Sequence, residues 1–394
     1  MTTLTEIAVT PIIPTANRLG EVKEYYFSTK LREIAQRRKA GHDIINLGIG
    51  SPDLPPAPEV IQALTKAAAV PSNHGYQPYK GRPALRAAFA GWYDRFFEVE
   101  LDPETELLPL IGSKEGIMHI SMAFLNPGDE VLVPNPGYPT YRSATELAGG
   151  TIRDYRLNDS SNWLPDLPTL EAEGLDKVKI MWVNYPHMPT GTAAPRSFFT
   201  ELVAFARRNK ILLVNDNPYA FILTDSVQSL LSVPGAKEVA IELSSLSKAQ
   251  NMAGWRVGAV AGTKEYLASI VRFKSNMDSG MFAPVQEAAT VALGLGQDWY
   301  AALNAKYRER REIAFKIMDV LGASYRRDQV GLFVWAKCPT GQDGYQISDH
   351  ALYEKDVFLT PGGIFGDEGT NYLRISLCSP PVQLTEALQR LSDQ

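Results

Sequence analysis

"KIMWVNYPHMPTGTAAPRSFFTELVAFARRNKILLVNDNPY", residues 179–219, decides the fold class. Two short apolar runs, "IMWV" and "ILLV", flank a stretch of helical periodicity, "RSFFTELVAFARRN". Neither run alternates apolar with polar residues, so each reads as a strand buried on both faces. The same texture recurs outward from there. "ELLPLIGS", "EVLVPN", "VAIELSSLS" and "VGAVAG" are further strand candidates, and "SKEGIMHISMAFL" is another helical pattern. Strands alternating with helices predict an α/β protein with a mainly parallel sheet flanked by helices.

Toward the N-terminus, "YYFSTKLREIAQRRKAG" reads as a helix closed by Gly41, followed by the short strand and Gly/Pro loop of "DIINLGIGSPDLPPAP". Beyond residue 290 the texture changes. A long charged helix, "WYAALNAKYRERREIAFKIMDVLG", leads into "GLFVWAKC", "DVFLTPGG" and "NYLRISLC", an α+β order without strict alternation. Three segments are therefore expected: an N-terminal arm and part of a small domain at 1–57, a large domain at 58–290, and the rest of the small domain at 291–394. The "RERRE" run at 308–312 reads as a solvated helix face.

Composition narrows the class. The 394 residues are 45% hydrophobic and 21% charged, the balance of a globular protein with a large core. A net charge of −5 argues against nucleic acid as a partner. Cys338 and Cys378 lie far apart with no CxxC pattern, which speaks against a disulfide framework or a cysteine-built metal site. His42, His74, His119, His187 and His350 show no metal-ligand spacing and read as structural, so no metal is expected. The first twenty residues lack a signal-peptide core, and no run of about 18 apolar residues occurs. A soluble, cytoplasmic protein is the expectation.

The residues that close the strands point to chemistry. "PLI" is followed by Gly112-Ser113-Lys114, "VLV" by Pro134-Asn135-Pro136-Gly137-Tyr138, and "IMWV" by Asn184. "ILLV" ends in Asn215-Asp216-Asn217-Pro218-Tyr219, and "IEL" in Ser244, Ser245 and Lys248. Ligands of open α/β sheets bind beyond the carboxyl ends of the strands. Gly112-Ser113-Lys114 opens a helix and suits a phosphate, with Ser245 and Arg256 as further partners for the dianion. Asp216, an acid directly after a buried strand, needs a cation or a protonated nitrogen. Tyr138 offers a flat face for a ring. In a desolvated, cation-lined pocket the Lys248 amine becomes a nucleophile toward a carbonyl. Phosphate, aromatic ring, ring nitrogen and aldehyde together describe pyridoxal 5′-phosphate.

The chain resembles the class I/II aminotransferases, fold-type I pyridoxal-phosphate enzymes, from "INLGIGSPDLPPAP" to "NYLRISL". The signature is Ser245-Leu246-Ser247-Lys248 followed by Arg256-Val257-Gly258. The resemblance implies that Lys248 bonds to the cofactor and later shuttles the proton, while Ser245, Arg256, Ser113 and Lys114 hold the phosphate. It implies Asp216 at the pyridine nitrogen, Tyr219 at the phenolic oxygen and Tyr138 stacked on the ring. Tyr76 of "YQPYKGRPALR" would reach the partner subunit's phosphate, which implies a homodimer with shared active sites. Arg374 of "NYLRISL" would clamp the substrate α-carboxylate, with Gly50 and Asn184 beside it. The expected reaction is ping-pong transfer of an amino group from an L-amino acid to a 2-oxo acid. A β-elimination lyase and a non-catalytic binding protein on the same scaffold are the alternatives. Lys114 suits a dicarboxylic donor, and the aromatic residues leave methionine or an aromatic amino acid open.

One position departs from the pattern. Where the family carries Asn-Pro-Thr-Gly, this chain has Met188-Pro189-Thr190-Gly191. A thioether cannot donate to the cofactor's phenolic oxygen, so Tyr219 becomes the main donor there, with Asn184 as an alternative amide.

Overall fold

The computed structural model describes residues 12–393 apart from 21 and 23. Residues 1–11 of the stretch read for a signal peptide lie outside the described residues. Strands are numbered in chain order, starting with the two-residue β1 (Ile45–Asn46). The six apolar runs form β2 (Leu107–Leu110), β3 (Glu130–Asn135), β5 (Val178–Val183), β6 (Leu212–Asp216), β7 (Ala240–Ser245) and β8 (Gly258–Ala261). With β4 (Thr151–Arg156) they make one seven-stranded sheet, in the order β2-β8-β7-β6-β5-β3-β4. Neighbours from β4 to β7 pair in parallel, while β8 runs antiparallel to both β7 and β2.

Continuous apolar runs are what this sheet needs, because both faces are covered. Leu108, Val131, Ile180, Val214 and Ile241 enter one buried cluster, and Leu107, Leu132, Met181 and Leu213 enter the other. Each such buried side chain contributes roughly 1.5–3 kcal/mol. The helices Ser113–Phe124 and Arg196–Asn209 form where the periodicity placed them.

The two ends of the chain meet in smaller sheets. β9 (Ser324–Tyr325), β10 (Phe333–Lys337), β12 (Thr360–Pro361) and β13 (Tyr372–Ser376) form an antiparallel sheet, ordered β12-β13-β10-β9. β1 pairs in parallel with β11 (Val357–Phe358). Leu47 N–H donates to the Phe358 carbonyl at 2.9 Å, and Ser376 N–H donates to the Leu47 carbonyl at 2.8 Å. The long helix Gln297–Val320 differs from its sequence reading at one point. Within "RERRE", Arg310 turns inward, is buried, and forms a two-pronged ion pair with Asp53 at 2.7 and 2.9 Å. That bond ties the Gly/Pro loop after β1 to the helix, so this part of the run is an internal brace.

Candidate active site

The carboxyl ends of β5, β6 and β7 and the start of the helix Ser113–Phe124 surround a cavity of about 190 Å³. Of the residues singled out in the sequence, Ser113, Lys114, Tyr138, Asn184, Asp216, Tyr219, Ser245, Lys248 and Arg256 line it.

Its phosphate corner is built by close backbone approach. Gly112 has φ +81°, and a Cβ there would lie 2.1 Å from Arg256 Nη2. A Cβ on Gly258 would meet the Ser244 carbonyl at 2.6 Å and Ser113 N at 2.8 Å. Arg256 donates to the Ala253 carbonyl at 2.9 Å and to Ser247 Oγ at 3.3 Å, so its guanidinium is aimed by its own loop. Glu115 accepts the Ile111 N–H at 2.7 Å and fixes the turn that opens the helix. Helix N–H groups, a guanidinium and the Ser113 and Ser245 hydroxyls are the donor set a phosphate dianion takes.

Asp216 forms the opposite wall. It is buried, its Oδ2 accepts the Tyr141 hydroxyl at 2.9 Å, and its Oδ1 has no partner among the described residues. Burial raises its pKa to about 6, against the lowering effects of the Tyr141 hydroxyl and Lys248. An orphaned carboxylate oxygen facing a cavity fits a protonated ring nitrogen. Tyr141 was not among the residues singled out in the sequence. It stacks on Trp182 at 5.0 Å, and its only sequence signal is its place three residues after Tyr138.

Lys248 Nζ donates to the Gly50 carbonyl at 2.6 Å and lies 6.0 Å from the Tyr219 ring. Its pKa is lowered, first by desolvation, with the Arg374 and Arg256 charges acting the same way and Cys378 and Asp216 opposing. Tyr219 is buried, and desolvation pushes its phenol pKa up, which keeps it a hydrogen-bond donor. Lys114 has its pKa lowered by burial and by Arg256, and its ammonium lies 5.2 Å from the Tyr25 ring. No carboxylate pairs with Lys114 among the described residues.

Arg374 sits on β13, buried in a cage of rings. Its guanidinium lies 3.8 Å from Phe333, 4.6 Å from Phe365 and 5.6 Å from Phe27. It donates to the Gly48 carbonyl at 2.8 Å and to Met188 Sδ at 3.2 Å, and its Nε has no hydrogen-bond partner among the described residues. Burial brings its pKa down to about 10. A guanidinium with no carboxylate partner in such a cage is set to take an anion. The Asn184 amide is already engaged: it donates to the Asp216 carbonyl and accepts the Met188 N–H at 2.9 Å.

Arg374 and Gly50 do not line the cavity themselves: Gly50 joins it through its bond with Lys248, and Arg374 through Met188, which does line it. Two further residues lie outside this cluster. Tyr76 is 94% exposed and does not line the cavity. His119, read as structural, is fully buried; neither ring nitrogen has a hydrogen-bond partner among the described residues, Nε2 lies 3.6 Å from Glu115 Oε1, and Asp278 is also within 4.8 Å. Lys274 Nζ already occupies Asp278, at 2.6 Å from both carboxylate oxygens. Among the described residues no helix is long and apolar enough to cross a membrane.

Comparison with known proteins gives a consistent result. A family model described as "Aminotransferase class I and II" matches residues 42–391. An LL-diaminopimelate aminotransferase of Aquifex aeolicus is 40% identical over 380 residues, covering 96% of this chain and 98% of that protein. One from Desulforudis audaxviator is 43% identical over 378 residues, covering 95% and 96%. Among solved structures, substrate-bound BacF from Bacillus subtilis superposes with a TM-score of 0.92 at 35% identity, covering 97% of this chain and 98% of that one.

Proposed function

This chain belongs to the class I and II aminotransferases, and we propose that its amino donor is a dicarboxylic amino acid, LL-diaminopimelate, handled by the cluster around Lys248. It is an aminotransferase, moving an amino group from an L-amino acid to a 2-oxo acid, and not a lyase. The family implies pyridoxal phosphate as cofactor, and the residues present fit it: a cradle without side-chain bulk at Gly112 and Gly258, an orphaned acid oxygen at Asp216, and a desolvated amine at Lys248.

When bound, pyridoxal phosphate supplies an aldehyde carbon and an electron-withdrawing ring. The chain's own residues do the rest. Arg256, Ser113, Ser245 and the helix N-terminus bind the phosphate. Asp216 keeps a proton on the ring nitrogen, and Tyr141 holds Asp216 in place through its second oxygen. Tyr219 would donate to the phenolic oxygen, and Tyr138 would offer its flat face to the ring. Arg374 fixes the substrate α-carboxylate, so that the α-hydrogen faces Lys248. The Lys248 Nζ, whose pKa desolvation lowers, would take that proton and deliver it to the other carbon of the transfer. Tyr76 reaches the partner subunit's phosphate in a homodimer. Residues 58–290 carry the cofactor machinery, and the two ends, 1–57 and 291–394, carry the carboxylate clamp.

The observation behind the donor assignment is Lys114, an ammonium on the cavity wall with no carboxylate partner among the described residues. Diaminopimelate presents a carboxylate at each end, one for Arg374 and one for Lys114. Initial rates with LL-diaminopimelate, L-glutamate and L-phenylalanine as donors and 2-oxoglutarate as acceptor test this. The expected order places LL-diaminopimelate first in kcat/KM. Lys114→Met is expected to cost it about tenfold or more while leaving L-phenylalanine nearly unchanged. A preference for L-phenylalanine, or an equal loss for every donor, contradicts the assignment.

A further inference from the structure

Glu242, on β7, is a buried acid that none of the roles above uses. It is fully buried, and no lysine, arginine or histidine lies within ion-pair distance among the described residues. Its partners are all donors. Oε2 accepts the Leu230 N–H at 2.9 Å and the Asn215 amide at 2.8 Å, and Oε1 accepts the Ser229 hydroxyl at 2.7 Å.

Two of the three bonds have a fixed direction, because the Leu230 N–H and the Asn215 NH₂ can only donate. Asn215 Oδ1 accepts the Tyr185 N–H at 3.1 Å, so its NH₂ must face Glu242. Ser229 Oγ accepts the Leu231 N–H at 3.1 Å, and Glu242 Oε1, at 2.7 Å, is the acceptor within reach of its hydroxyl hydrogen. Burial raises the Glu242 pKa, and the Ser229 hydroxyl, the Asn215 amide and the Leu230 N–H all act against that rise, so these three donors are what favours an ionised carboxylate here. A buried negative charge without a nearby cation is costly unless a cation arrives elsewhere within electrostatic reach.

Such a place is one residue away. Asn215 pairs with Glu242 across β6 and β7, and the next residue on β6 is Asp216, whose side chain projects from the opposite face of the sheet but still feels the Glu242 charge. The other titratable groups facing this pair are Tyr93, from the helix Pro83–Phe97, beside Glu242, and Tyr141 and Lys248 beside Asp216. The two buried carboxylates together await one positive charge on the cavity side.

We propose that Glu242 is a positioning residue of the reaction: its ionised carboxylate, held by neutral donors behind Asp216, provides the second negative charge that keeps the cofactor's ring nitrogen protonated. This rests on the proposed pairing of Asp216 with that nitrogen. Glu242 also braces the segment before β7 at Ser229–Leu230 and, through Asn215, the loop after β5. A purely structural brace would change stability alone, whereas a charge role changes the proton equilibrium of the ring.

The test uses holoenzyme loaded with ring-¹⁵N-labelled pyridoxal phosphate and follows the nitrogen shift across pH 6–10, in wild type and Glu242→Gln. The expected result is a protonated nitrogen in wild type and a titration midpoint about one unit lower in the variant, a roughly tenfold change in the proton equilibrium. A folded variant with an unchanged midpoint, or with the nitrogen protonated throughout as in wild type, overturns the proposal. A wild-type nitrogen unprotonated throughout instead contradicts the Asp216 pairing beneath it. If Glu242→Gln fails to fold, Ser229→Ala removes one donor and is expected to move the midpoint the same way by less; no movement overturns the proposal as well.

Discussion

Met188 is the residue at which this chain parts from its family pattern, and the structure gives it a neighbour. Its sulfur lies 3.2 Å from Arg374 Nη1 and its N–H is held by Asn184, so neither side chain supplies an obvious amide to the cofactor's phenolic oxygen. With Tyr219 as main donor, more negative charge remains on that oxygen. The bound chromophore is then expected to titrate at a pH about one unit higher in wild type than in Met188→Asn. Absorption titration of both proteins decides it, and an equal or lower wild-type midpoint refutes it. Asp216 carries a second expectation, for the cofactor-free protein. Its folded pKa, about 6, exceeds the model-peptide value of 3.8, so its burial destabilises the fold above pH 6 and the penalty fades as pH falls toward 4. Asp216→Asn is therefore expected to stabilise the cofactor-free protein by roughly 1–3 kcal/mol at pH 7.5, with the difference shrinking below pH 6. Urea unfolding at pH 7.5 and pH 4.5 measures it, and a difference that grows toward acid contradicts the sign.

At the scale of elements, the phosphate corner depends on strand β8 lying against the start of a helix. Gly258→Ala would press a methyl group onto the Ser244 carbonyl and Ser113 N, both backbone atoms that cannot swing away. It is expected to cost about 1–3 kcal/mol and to weaken cofactor binding at least about tenfold, read from thermal unfolding and from fluorescence titration with pyridoxal phosphate. Unchanged affinity would mean that this junction does not shape the phosphate site. The same elements show what a sequence can disclose. The continuous runs of β3, β5, β6 and β7 were legible because burial on both faces demands them. β4 was not, because "TIRDYR" lies at the sheet edge with much of it exposed, so it carries no continuous apolar signal. The reversed direction of β8 leaves no mark in composition. That Lys248, Asp216 and Arg256 would share one cavity at the strand ends was legible from their setting. The buried contacts of Tyr141 and Glu242 were not, since they form across separate elements.

For the whole molecule, Tyr76 is the telling residue. It is 94% exposed, and Met277 at 58%, Tyr79 at 48% and Phe282 at 46% are exposed apolar side chains on nearby segments. A second copy covering this surface would bring Tyr76 to the other subunit's phosphate. Mixing inactive Lys248→Ala and weakened Tyr76→Ala proteins is then expected to regain activity, up to about a quarter of wild type, because each hybrid dimer holds one intact site. No regain after subunit exchange contradicts the shared site. The central claim, that a cofactor bound through Lys248 carries amino groups between substrates, has a more direct test. It is the absorption spectrum of the purified protein before and after excess L-glutamate or LL-diaminopimelate, and again after 2-oxoglutarate. The account predicts a coloured band that gives way on adding the donor and returns with the acceptor, and that Lys248→Ala cannot regenerate. A protein that stays colourless after pyridoxal phosphate is added, or a band that no donor changes, would contradict it.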